Sequence, residues 1–196
     1  MLSRSAIFGY LSFLFAFFAS NFAFSLENEN LLVALPKGYK IGHQAKNDKI
    51  TMSEMIPANE TIASWTEMLT VQIFHGLGHV KPDQFREGME KRWTAVCPGS
   101  EFGVVNRGIE NGYPSLTWLQ NCPSNKTTGK PEITWFKAVQ GKDALYLVQK
   151  AFKFSPTPDQ VKTWVGFLQR VSACDTRLAD RPCYVLNGKD AKNDLR

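Results

Sequence analysis

Trp65-Thr66-Glu67-Met68-Leu69-Thr70-Val71-Gln72-Ile73-Phe74 is the stretch whose reading settles the class of this chain. Leu69, Val71 and Ile73 share one side of an extended backbone, and Thr66, Thr70 and Gln72 share the other. Successive side chains of a strand point to opposite faces, so a period of two predicts a strand with distinct faces. The pattern stops at His75-Gly76-Leu77-Gly78-His79, where two glycines break the regularity. The period then changes. Lys81-Pro82-Asp83-Gln84 opens a helix, with proline in the first turn where its missing N–H costs nothing. Phe85, Met89, Trp93 and Val96 recur at helical spacing, and Cys97-Pro98-Gly99 closes the element.

Toward the N-terminus, Leu31 to Leu35 is a short apolar run ended by Pro36-Lys37-Gly38. Tyr39 to Gln44 alternates, and Lys49 to Ile56 continues as a further strand after Asn47-Asp48. Toward the C-terminus, Phe102 to Ile109 and Pro114 to Gln120 predict a hairpin about Asn111-Gly112. Cys122 to Lys130 reads as a polar loop. Glu132 to Gln140 and Ala144 to Phe154 predict a second hairpin. Thr157-Pro158-Asp159-Gln160 has the composition of a capping box ahead of Val161, Trp164, Val165, Leu168 and Val171. Strands in hairpin succession with only two helices argue for an α+β fold: an antiparallel sheet of about six or seven strands covered by two main helices.

The element order, the length and the segment Ala58 to Phe74, which holds Ile62-Ala63-Ser64-Trp65-Thr66-Glu67-Met68-Leu69-Thr70-Val71-Gln72, resemble small exported bacterial proteins of uncharacterised function. The architecture is similar to the Mog1/PsbP-like group over roughly Leu31 to Cys174. The resemblance implies a central antiparallel sheet sandwiched by helices, and a binding or accessory role rather than an enzymatic one. It brings no catalytic residues with it, and a fold does not by itself fix a function.

The beginning of the chain predicts a compartment. Arg4 is a positive start, Ile7 to Phe18 is apolar, and Ala23-Phe24-Ser25 places small residues where a signal peptidase reads. The expected cut lies before Leu26. The apolar run is shorter than the ~20 residues a membrane-spanning helix needs, so cleavage and no membrane anchor are expected. Of the 196 residues, 171 remain. The expected organisation is a signal peptide over 1–25, one domain over 26–183 and a flexible polar tail over 184–196. The leader carries one basic and no acidic residue, so the net charge falls from +5 to +4, with charges interspersed. No run of like charge has the look of a nucleic-acid surface.

Cys97, Cys122, Cys174 and Cys183 are an even set in a chain read as exported, which predicts two disulfides. Of three connectivities, Cys97–Cys122 and Cys174–Cys183 are favoured, because each closes a short loop across a change of element. No C-x-x-C pair is present to suggest zinc. His75 and His79, with His43 as a third, are the candidate metal ligands, although glycines between the first two argue against the helix that would align them. No G-x-S-x-G elbow is present. Glu67 shares the parity of Leu69, Val71 and Ile73, which makes it a partly buried carboxylate with work to do or, as favoured, a strand-end residue that reaches solvent or pairs with Lys or Arg. His43, Glu67, Trp118 and Trp135 are the candidates to line a pocket or partner surface, with core packing favoured for the tryptophans. No cofactor is expected. The favoured reading is a periplasmic or secreted, non-enzymatic accessory protein that binds a protein or small ligand. The alternative is a metal-dependent or other hydrolase in the same compartment.

Overall fold

The structure is a computed structural model, and it describes residues 27–126 and 128–183. The signal peptide read over 1–25 and the tail read over 184–196 lie outside these residues. The elements in chain order are β1 (Glu29–Leu32), β2 (Tyr39–Lys46), β3 (Ile50–Pro57), a 3-10 turn (Ile62–Ser64), β4 (Glu67–His75), α1 (Pro82–Val96), β5 (Glu101–Glu110), β6 (Tyr113–Asn125), β7 (Lys130–Gln140), β8 (Ala144–Phe152), α2 (Pro158–Arg170) and β9 (Ser172–Asp175). Seven strands form an antiparallel sheet in the order β2-β3-β4-β8-β7-β6-β5. The fold is α+β, as the alternation and hairpin signals predict.

The two helices cover opposite faces. Phe85, Met89 and Trp93 of α1 pack against Leu116, Trp118, Phe136, Ala138 and Leu147. Trp164 and Leu168 of α2 pack with Leu69, Val71, Trp135, Val148 and Phe152. Neighbouring β7 residues therefore serve different cores: Trp135 faces α2 and Phe136 faces α1. Both faces of β7 and β8 are buried, so their apolar residues run almost continuously. The capping box of α2 is present: Gln160 N donates to Thr157 Oγ1 at 3.3 Å, and Thr157 N donates to Gln160 Oε1 at 2.9 Å.

Two local expectations need correction, and one element was not read from the sequence at all. Val96 is exposed, so the buried stripe of α1 ends at Trp93. The segment Cys122 to Lys130 is mostly strand. β6 runs on to Asn125 and pairs with Lys130, and a register shift between Cys122 and Asn125 absorbs its polar residues. After α2 the chain forms β9, which pairs with β1 as a separate two-stranded sheet. Four residues pairing across 140 positions of chain leave no local pattern to read.

Both disulfides join the cysteines favoured from the sequence, Cys97 with Cys122 and Cys174 with Cys183. The first ties the end of α1 to β6, and the second ties β9 to the end of the described chain.

Candidate functional site

β5 decides the shape of the face that carries α2. It is the last strand of the sheet, and it contains a bulge: Val104 pairs with Trp118 and Asn106 with Thr117, which leaves Val105 as an extra residue. Before the bulge, Glu101 and Gly103 share the α2 face with their partners Asn121 and Leu119. Beyond it the parity is inverted. Arg107 turns toward α1 and bonds Asp83 at 2.9 Å, while Glu110 turns toward α2 and bonds Lys137 at 3.0 Å.

A groove of about 390 Å³ opens beside α2 on this face. Leu119, Ile133 and Trp135 form its floor, and Val161 and Pro156 form its helix-side wall. Glu101, Asn121 and Ser155 supply polar groups at its rim. A mainly apolar groove with a few polar groups is what a ligand site requires. Gly103 borders it at the sheet edge, where the space is open: a Cβ there would meet nothing within 4 Å.

Beside the floor, on the same face of the sheet, lies a buried charged centre. Lys150 is the cross-strand partner of Trp135. Its side chain is 0% exposed, and Nζ donates to Glu67 Oε2 and to Tyr39 Oη, both at 2.6 Å. Nζ also stands 3.8 Å from the centroid of Trp164, with the Phe152 ring at 4.6 Å. Burial disfavours the ammonium and pushes Lys150 down to about 8, against the opposing pull of Glu67. Burial, reinforced by the Glu67 carboxylate, pushes the Tyr39 hydroxyl above its ordinary range. The pair links β2, β4, β8 and α2 through one nitrogen, so it fixes the wall on which the groove is built.

A second buried lysine does related work. Lys137 Nζ donates to the carbonyls of Gln169 at 3.2 Å and Val171 at 2.7 Å, at the C-terminal end of α2. A cation there meets the carbonyls a helix leaves unbonded. Burial lowers the Lys137 pKa, opposed by Glu110.

The candidates read from the sequence are dispersed. Trp135 forms the groove floor, and Glu67 is the carboxylate paired with Lys150. Trp118 is not a surface residue: it is 0% exposed and stacked on Phe136, with ring centroids 4.9 Å apart, under α1. His43 is exposed on edge strand β2, opposite Glu54, on the α1 side of the sheet and away from the groove. His75 ends β4 with Nε2 at 2.9 Å from Thr51 Oγ1, and His79 is exposed in the following loop. Gly76 N bonds Asp143 O in the β7–β8 turn, so these histidines lie at the other end of the sheet from the groove. Among the described residues, no three His, Cys, Asp or Glu side chains are grouped to hold a metal. Lys150 and Lys137 were missed. The available signal was a charged residue inside each of two strongly apolar strand runs, where an unpartnered cation would be costly.

No family model and no curated protein matches this chain. Solved structures with a similar fold include a mutant of the protein Mog1 (TM-score 0.43, 8% identity, 70% of this chain and 78% of that one). They also include the Saccharomyces cerevisiae Ran-binding protein Mog1p (0.41, 8%, 72% and 85%). A third is LpqN, involved in cell envelope biogenesis of Mycobacterium tuberculosis (0.38, 9%, 77% and 87%). These are likenesses of fold, and no activity or partner follows from them.

Proposed function

We propose that this chain is an exported bacterial binding protein without catalytic activity, acting in the periplasm or outside the cell, and that its ligand enters the groove beside α2. In this reading residues 1–25 are removed, 26–183 form the working domain and 184–196 are a polar tail. Export is supported by the composition of the first 25 residues and by four cysteines closed into two intramolecular pairs. One observation carries the binding reading: the Trp135 floor, braced by the buried Lys150–Glu67 pair, lies in an open, mainly apolar groove.

Two measurements test it. Fractionation of the source cells followed by intact mass should find the protein outside the cytoplasm, beginning at Leu26. A cytoplasmic full-length chain sinks the export half. The groove is tested with the fluorescent probe 8-anilinonaphthalene-1-sulfonate. Trp135→Ala should weaken saturable binding by about fivefold, the scale of one lost aromatic contact. Equal binding by a folded variant removes the groove from the proposal.

A further inference from the structure

The groove of the proposed function does not stand alone. A second, of about 540 Å³, lies on the α1 side, lined by Glu87, Glu90, Lys91, Thr94 and Phe102. Phe102 and Gly103 are consecutive residues of β5, so the two grooves flank one short piece of strand on its opposite faces. Among the described residues β5 is also the free end of the sheet: it pairs there only with β6, and residues 101–107 are all exposed.

The two edges of the sheet are defended differently. β2 carries Lys40 and Lys46, which discourage pairing with another chain. β5 instead exposes Phe102, Val104, Val105 and Ile109. Its one cation, Arg107, is drawn aside to Asp83. From Glu101 to Val104 the strand is regular and precedes the bulge.

We infer that the Glu101–Val104 edge of β5 accepts an extended peptide as an added strand, with alternate apolar and basic side chains entering the two grooves. The inference rests on the binding reading and names its ligand class. An added strand supplies backbone hydrogen bonds, and its side chains alternate between the two faces of the sheet. On the α2 side they enter the open end of the groove, over the space that Gly103 leaves toward its cross-strand partner Leu119. On the α1 side they meet two carboxylates against one lysine. Glu90 already holds Arg86, and Glu87 makes no ion pair among the described residues. Glu87 is therefore the carboxylate left for a cation from the peptide.

The test uses the mature protein, isotope-labelled, with an acetylated and amidated peptide of three Val-Lys repeats. Backbone amide shifts should saturate and concentrate in β5. Three Val-Glu repeats should bind less tightly. A Val-Lys peptide N-methylated on its pairing edge should bind at least about tenfold more weakly, because it keeps the side chains and loses the backbone bonds. Glu87→Lys, an exposed change, should weaken Val-Lys binding by roughly threefold to fivefold, the scale of one exposed ion pair, and narrow the gap to Val-Glu. Equal binding of the methylated peptide overturns strand addition. So does a response centred on β2, or β5 amides that shift with protein concentration alone, which would make a second copy the occupant. If no peptide acts while the dye still requires Trp135, the inference fails and the binding reading stands. If the dye also ignores Trp135, both fail.

Discussion

Lys150 shows how one residue in an apolar strand organises its surroundings. Its ammonium is buried, so removing its partner leaves a charge without compensation. Glu67→Ala should cost about 3–5 kcal/mol in urea unfolding, whereas Lys150→Met, which removes the charge and keeps much of the volume, should cost far less. The pH dependence has a definite sign. Lys150 titrates at about 8 in the fold and near the ordinary 10.5 when unfolded. Between those values the unfolded chain binds more protons, so this group makes stability rise with pH from about 8 toward 10. Wild type minus Lys150→Met, measured at pH 7.5 and pH 10, isolates that rise. A flat difference contradicts a buried ammonium. Asp175 gives the same sign at the acid end of the scale, where stability again rises with pH. Hydrogen bonds from the Arg177 side chain, at 2.8 and 2.6 Å, hold its carboxyl down to about 2. Its stabilisation is present above the unfolded carboxyl pKa and is lost as pH falls through about 2. Asp175→Asn should therefore be destabilised at pH 7, with the gap to wild type closing between about pH 4 and pH 2.

At the scale of elements, the central strands and both helices were legible because period, caps and turn residues agree there. The capping box of α2 could be read letter by letter. The bulge in β5 could not. Val105 looks like any other β-branched strand residue, and only pairing with β6 reveals that it has no partner. That one residue decides which way Arg107 and Glu110 face. Deleting Val105 should return both to the wrong sides. Arg107 would leave Asp83, Glu110 would leave the buried Lys137, and the end of α2 would lose its braced cation. A loss of about 3–5 kcal/mol is expected, most of it from Lys137. A deletion that unfolds at the wild-type urea midpoint means the bulge directs nothing. The same limit explains the site: Trp135 and Glu67 were readable as inward-facing positions, while the groove depends on the open space at the sheet edge and on how far α2 reaches.

The described residues form a seven-stranded sheet with a helix on each face and a two-stranded sheet beside it, and grooves flank both helices. The disulfides act at this scale, because neither lies within one element. Cys97–Cys122 fixes the end of α1 beside the start of β5, and so sets the spacing of the α1-side groove. Replacing both cysteines by alanine should cost about 2–4 kcal/mol, read as a lower urea midpoint. The measurement that bears most directly on the binding reading is an amide shift map of the mature protein titrated with 8-anilinonaphthalene-1-sulfonate. Shifts should cluster at Leu119, Asn121, Ile133 and Val161 around the Trp135 floor. A map centred instead on His43 and Glu54, on the other side of the sheet, would contradict it.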